Sequence, residues 1–314
     1  ERVLSRFDCM TVGETPGVTP EVAAQYVAPE RHELQMLFQF DHVEVGTTNG
    51  NKWRPRAWRL TELKRVLEAW QTGLHGRGWC SLYMNNHDQP RQVSRFGNDG
   101  EFRVQSAQVL ATLLHTLEGT PFVYQGEEIG MTNVHFASLD EYEDVEVRGK
   151  RAEVAATKEM TEEELLHSVW DWSRDNARTP MQWDSSPNAG FTAGTPWLGV
   201  NPNYTTINVA ADMANPHGVF RYYQKIIALR KQHPIMPYGQ VQMLCRDSEE
   251  VFAYLKTLGD ERWMVVLSFV PHRVEFAAPE DVEIKTSHLV IGNYDVDPAE
   301  TARHFTLRPY EARV

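Results

Sequence analysis

Three cysteines in 314 residues, Cys9, Cys80 and Cys245, are too few, too far apart and odd in number for a disulfide framework or a CxxC metal or redox site. A reducing cytoplasm suits that usage. Long apolar runs are absent as well: nothing approaches the ~20 residues that cross a bilayer, so no membrane partner is expected. The start, ERVLSRFD, lacks the basic first segment and apolar core of a signal peptide. Positive charge is scarce: 31 Lys plus Arg stand against 43 Asp plus Glu, for a net charge of -12. With no dense basic run to track a phosphate backbone, nucleic acid is not expected as a partner. No two of the 12 histidines lie within five positions of each other, which disfavours helix-type metal spacing. Internal repeats and low-complexity tracts are missing too.

What is present is a chain 41% hydrophobic and 24% charged, enough for one large domain and a small one. It lacks an initiator Met and enters an apolar strand almost at once, as if it began within a domain. Apolar runs alternate with amphipathic helices as β/α units do. The expected strands are Cys9 to Gly13, Gln35 to Phe40, Cys80 to Met84 and Pro121 to Gln125. Between the second and third, Leu60, Leu63, Leu67 and Trp70 recur at helical spacing. Between the third and fourth, Val104, Ala107, Leu110, Leu114 and Leu117 do so, with Asn98 as expected N-cap and Glu101 three residues on.

A long excursion follows, from Gly126 to about Pro216. Its acidic part, DEYEDVEVRGKRAEV, reads as a solvated face, and a Pro-, Gly- and Asn-rich part, TPMQWDSSPNAGFTAGTPW, comes after it. A helix with Val219, Tyr223, Ile226 and Ile227 on one face stops at His233-Pro234. VFAYLK, WMVVLSFV and SHLVIGNY then read as strands of a small antiparallel domain. The expected division is residues 1–234 with the excursion at about 126–216, then residues 235–314.

The four strand ends carry Glu14, Asp41-His42, His87-Asp88 and Glu127-Glu128. Carboxylates gathered on one rim suit acid-base or electrostatic work on a substrate that develops positive charge. Glycoside hydrolysis has that need: one carboxyl protonates the leaving oxygen and others face an oxocarbenium-like centre. Taken singly, each carboxylate reads more readily as a helix cap or an ion-pair partner; their convergence is what favours catalysis.

MTVGETPGVT around Glu14, YMNNHDQPRQVSRFGNDGEFR around Asp88, GTPFVYQGEEIGM and SRDNARTPMQWD resemble glycoside hydrolase family 13, the α-amylase family, and closely its oligo-1,6-glucosidase and α-glucosidase members. The four segments occur in family order and span nearly the whole chain. The resemblance implies the C-terminal half of a (β/α)8 TIM barrel, strands five to eight, followed by a small antiparallel β-sandwich domain. It also implies cytoplasmic use and exo-acting release of glucose from short α-glucoside oligosaccharides. Carried over by motif, Glu14 is the general acid-base, Asp88 the transition-state-stabilising carboxylate, His87 a hydrogen-bond donor to sugar hydroxyls, and Arg174 the grip on the terminal glucose. A rigid guanidinium fork suits neighbouring hydroxyls and an acidic partner. Arg178 reads instead as a tie for the long loop through ion pairs; Trp183 and Phe191 could stack on sugar faces, but aromatics in such a loop more often pack.

The departure from the family is as telling as the match. Its nucleophile, an Asp in a Gly-Phe-Arg-x-Asp-type segment, and an earlier Asp-x-x-x-Asn-His segment appear nowhere in this sequence. By resemblance both belong upstream of Glu1, as does the residue that sets α-1,6 against α-1,4 selectivity. No cofactor is expected in this chain; a structural calcium belongs to the N-terminal half, which is itself the expected partner. The chain alone is therefore expected to be inactive. A transglucosylase or isomerase of the same family and a trehalose-6-phosphate hydrolase are the nearest alternatives. FDHVEVGTTNG lacks the Arg-rich run of sucrose isomerases, which favours hydrolysis. A non-catalytic α-amylase-like subunit is the more distant alternative, since such chains tend to carry a membrane helix and lose catalytic residues.

Overall fold

The computed structural model describes residues 3–284, 286–297 and 300–314. In chain order its first part comprises β1 (Val12–Glu14), α1 (Pro20–Val27), β2 (Met36–Phe38), the single turn α2 (Asp41–Glu44), a hairpin of β3 (Thr47–Thr48) and β4 (Asn51–Pro55), α3 (Leu60–Leu74), β5 (Ser81–Leu82), α4 (Gln92–Phe96), α5 (Arg103–Thr116) and β6 (Thr120–Pro121). Gly13 stands opposite Leu37, Leu37 bridges to Cys80, and Ser81 pairs with Thr120, all parallel. The strands therefore lie side by side in the order β1, β2, β5, β6, as the alternating pattern predicts. Gly119 enables the last approach: at φ +132° a Cβ there would sit 2.5 Å from the Cys80 carbonyl oxygen.

All four strands differ from expectation in their limits: the second and third are shorter, Met36–Phe38 and Ser81–Leu82, and the first and fourth are shifted. The first ladder starts at Val12 rather than Cys9, because β2 offers its first paired residue at Met36 and leaves Cys9 and Met10 exposed. The fourth occupies Thr120–Pro121, extended only by Phe122 N–H donating to Leu82 O at 2.7 Å, and Val123 is 40% exposed. A neighbour's hydrogen bonds, not apolarity alone, define a strand.

The connecting helices cover the sheet. α3 buries Leu60, Leu63, Leu67, Trp70 and Leu74, the predicted stripe. α5 is buried on nearly every side, with Leu110 and Leu113 inaccessible, so it has no polar face. Truncating Leu110 to Ala there would cost about 2–5 kcal/mol. Asn98 does not cap α5: its Oδ1 accepts from Gly100 N and Phe102 N at 3.0 and 3.1 Å, fixing the turn before the helix.

The excursion is a small helical unit rather than a bare loop. It holds α6 (Val145–Thr157), α7 (Glu162–Trp172), α8 (Asp175–Arg178) and α9 (Val209–Ala214). Val134, Phe136, Leu139, Tyr142, Val147, Val154, Leu165, Val169 and Leu198 form its own core. α7 starts at a capping box, Thr161 N–H to Glu164 Oε2 at 2.7 Å and Glu164 N–H to Thr161 Oγ1 at 3.1 Å. α6 is capped by Asp144, which the acidic run hid: its side chain is fully buried, not solvated.

α10 (Val219–Gln232) and α11 (Ile235–Tyr238) lead into β7 (Gln240–Leu244), β8 (Val251–Leu258), β9 (Glu261–Ser268), β10 (Val274–Ala277), β11 (His304–Leu307) and β12 (Ala312–Arg313). On α10 Tyr222 is buried and Ile227 is 36% exposed, a one-residue rotation of the expected stripe. The antiparallel sheet runs β12-β9-β8-β7, and β10-β11 form a separate hairpin. Side-chain alternation along β8 sends Phe252 and Tyr254 into the core shared with α3 and α5, and Val251 and Ala253 into the core under the hairpin. The expected strand SHLVIGNY is irregular; only Gly292 bridges, to Arg313.

Candidate active site

Glu14 is the last residue of β1, exposed at the carboxyl end of the parallel sheet, and the next residue, Thr15, donates its N–H to Phe38 O on the neighbouring strand at 3.2 Å. Tyr83, just past β5, donates its hydroxyl to Gln39 O at 2.7 Å and packs edge-on against Phe38. Burial, and then the Glu14 charge, push the Tyr83 phenol well up. Glu14 and the segment after β5 thus share one rim and one field.

Asp88 sits in a turn that its own neighbours build. Asn86 Oδ1 accepts from the Asp88 N–H at 2.7 Å, and Gln89 N–H donates to Asn86 O at 3.2 Å. Asn86, at the break in the apolar run, therefore fixes the turn in which His87 and Asp88 are partly exposed. The carboxylate meets Arg178 Nη2 at 2.5 Å, His87 Nε2 at 3.3 Å and Arg174 Nη1 at 3.7 Å. Its side chain remains 41% exposed and that of His87 62%. A held, half-solvated carboxylate beside an imidazole and two guanidinium groups can bind hydroxyls and face a cationic centre.

Arg174 is brought to Asp88 but bonded chiefly elsewhere. Its Nε and Nη2 donate to Asp144 Oδ1 at 2.9 and 2.5 Å, and its N–H donates to Asp144 Oδ2 at 3.1 Å. Burial alone would raise the Asp144 carboxyl; the Arg174 guanidinium and the backbone N–H groups of Glu146 and Arg174 reverse this, leaving it below the usual range. The same bonds raise Arg174. Arg178 is thus the closer partner of Asp88, and its ion pair fixes the site as well as the excursion.

The other strand-end groups do not join the rim chemistry. Asp41 Oδ2 accepts from the Trp70 indole at 2.8 Å and ties α2 to α3. His42 is buried, its Nδ1 against Gln39 Nε2 at 2.8 Å, and burial followed by the Arg95 charge lowers its pKa to about 3. Glu128 accepts from Gly126 N–H at 2.7 Å. Glu127 is 2% exposed, and burial followed by the Glu128 charge pushes its carboxyl well up. Trp183 and Phe191, expected to pack, are 50% and 48% exposed. Asp144, Arg91, Asn133 and Tyr124 escaped the sequence reading. Asp144 left one signal, its place just before a helical pattern with Glu two residues on.

Among the described residues no group of three or more His, Cys, Asp or Glu is arranged to hold a metal ion. None of their helices is long and apolar enough to cross a membrane.

A parallel β/α sheet with acidic and basic side chains at its carboxyl rim is the arrangement of barrel enzymes, whose sites lie at that face. The chain belongs to the α-amylase family: residues 1–239 match the alpha amylase catalytic domain, and residues 241–314 match the maltogenic amylase C-terminal domain. It is 51% identical over 312 residues to an oligo-1,6-glucosidase of Parageobacillus thermoglucosidasius, covering 99% of this chain and 56% of that protein. Two solved structures resemble it at a TM-score of 0.94, each covering 99% of this chain and 56% of theirs: the trehalose-6-phosphate hydrolase of Bacillus licheniformis, at 42% identity, and the isomaltulose synthase of Klebsiella sp. LX3, at 38%. The chain thus spans a little over half the length of the relatives it matches.

Proposed function

We propose that this chain is the C-terminal portion of a retaining α-glucosidase that cleaves terminal α-1,6 and/or α-1,4 glucosidic bonds of short oligosaccharides in the cytoplasm. The division at residue 234, between barrel half and β domain, belongs to the same proposal. The observation that carries it is the Asp88 carboxylate held beside Arg178, Arg174 and His87 on the rim that Glu14 also occupies.

In this mechanism Glu14 gives its proton to the glycosidic oxygen as the bond to the anomeric carbon breaks, so the leaving sugar departs neutral. It then takes a proton from the water that releases glucose. Asp88 stays ionised and stabilises the developing positive charge, an interaction stronger in the transition state than in the ground state. His87 and Arg174 hold hydroxyls of the terminal glucose. The nucleophilic carboxylate comes from the upstream half of the barrel.

The likeness to a trehalose-6-phosphate hydrolase and an isomaltulose synthase favours a second reading in which the same glucose-holding rim serves another leaving group or acceptor. The test uses the full-length protein and its Asp88→Asn variant on isomaltose, maltose, trehalose 6-phosphate and sucrose, with products resolved. Hydrolysis of isomaltose or maltose, lost in the variant, supports the proposal. Activity confined to the phosphorylated sugar or to sucrose rearrangement supports the second reading, and wild-type rates in the variant defeat both.

A further inference from the structure

Arg178 and Arg91 grip each other's segments. Arg178 Nε donates to His87 O at 2.9 Å while its Nη2 holds the Asp88 carboxylate. Arg91, three residues beyond Asp88, reaches the other way: Nε donates to Asn176 O at 3.0 Å and Nη2 to Ala177 O at 3.2 Å, the two carbonyls immediately before Arg178. Its Nη1 donates to Gln125 O at 2.5 Å, in the segment that follows β6. Segments 87–91 and 176–178 are thereby closed into a ring.

Arg91 is 1% exposed, and three backbone carbonyls take its hydrogen bonds. A planar fork meets these acceptors from three separate nitrogens, whereas a lysine ammonium must offer its three donors from a single point. The surroundings are shaped to it. Gly126 has φ +94°, and a Cβ there would lie 2.7 Å from Arg91 Nη1. Tyr124 donates its hydroxyl to the same Ala177 O at 3.0 Å. Asn133 Oδ1 accepts from Arg91 N–H at 2.8 Å, and its Nδ2 donates to Trp170 O at 3.1 Å, tying the ring to the end of α7.

We propose that Arg91 and Arg178 form one reciprocal clasp that sets the position of the Asp88 carboxylate on the rim, making Arg91, buried and out of reach of substrate, a positioning residue for the reaction. This rests on the role proposed for Asp88. A displacement of about 1 Å at a reacting group can cost on the order of 10² in rate, so the clasp should be read in kcat.

The experiment compares Arg91→Lys, Arg178→Lys, the double variant, Tyr124→Phe and Asp88→Asn in the full-length protein on an aryl α-glucoside. Each lysine variant is expected to lose about 10- to 100-fold in kcat, and Arg91→Lys to keep KM within about threefold. Members of one clasp are not additive, so the double variant should be no more than about threefold slower than the slower single. Losses that multiply in the double variant, or an Arg91→Lys kcat within about twofold of wild type while Asp88→Asn is inactive, overturn the clasp. If Asp88→Asn keeps wild-type kcat, the role of Asp88 fails instead. Should Arg91→Lys not fold, Tyr124→Phe decides: removing one donor from Ala177 O should lower kcat about 3- to 10-fold at an unchanged melting temperature, and an unchanged kcat overturns the clasp.

Discussion

The Arg178 guanidinium donates to the Asp88 carboxylate at 2.5 Å, whereas Arg174, four residues earlier, stands 3.7 Å away and gives its short bonds to Asp144. One arginine is therefore spent on orienting a rim carboxylate. The other is anchored by a buried carboxylate with part of its fork still turned to the rim.

That anchoring governs the outcome at Arg174. Arg174→Ala leaves Asp144 buried without its counter-charge, and breaking such a pair costs about 3–5 kcal/mol, so the melting temperature should fall. The loss of charge-assisted bonds to glucose, about 1.5–3 kcal/mol each, should also lower kcat/KM by one to two decades. Asp144→Asn should destabilise and largely spare kcat/KM. If Arg174→Ala lowers only the melting temperature, Arg174 is a structural tie and does not hold substrate. The Asp144 carboxyl is shifted downward overall, so its contribution to stability is full above the unfolded value of about 3.9 and is lost as the pH drops through the lower folded value.

Glu14→Gln preserves shape and removes the titrating proton. Hydrolysis of isomaltose or maltose should fall by about 10² to 10⁴, and that of an activated aryl glucoside by less, since its leaving group needs little protonation. Equal losses on both substrates would contradict the acid-base role.

Lys256 on β8 is fully buried, its Nζ donating to Met236 O at 2.8 Å, and burial followed by the Arg230 charge lowers its pKa to about 7. The unfolded side chain titrates at about 10.4. Between those values the unfolded chain holds a proton that the folded chain does not, so this group's effect on stability is least favourable below pH 7 and improves as pH rises. Relative to wild type, the melting temperature of Lys256→Met should be highest near pH 7 and decline toward pH 9. A difference that stays flat across that range counts against the shift.

Residues 1–314 alone should hydrolyse neither isomaltose, maltose nor an aryl α-glucoside. A retaining glycosidase needs a second carboxylate about 5–5.5 Å from the acid; among the described rim groups Asp88 is held by Arg178, Arg174 and His87, Asp41 by the Trp70 indole and Glu128 by the Gly126 N–H, and Glu127 is buried. Among the described residues the outer edges of β1 and β6 are also unpaired, a liability that barrel closure removes. Mixing with the separately produced upstream half should restore turnover; activity without it would make a carboxylate in this chain the nucleophile.

The sequence by itself determined the β/α alternation, the helices over Leu60–Leu74, Arg103–Thr116 and Val219–Gln232, the placing of Glu14 at a strand end and that of Asp88 in the loop that follows β5. These are local properties: periodicity and strand-breaking residues act over a few positions, so they can be read along the chain. The tertiary structure decided which carboxylates stay at the rim. Asp41 turns to Trp70, Asp144 is drawn out of an acidic run to meet Arg174, and Arg178 crosses 90 positions to reach Asp88. A charge is buried, paired or left in water according to what the opposite segment brings to it, and no window of sequence contains both sides of that contact.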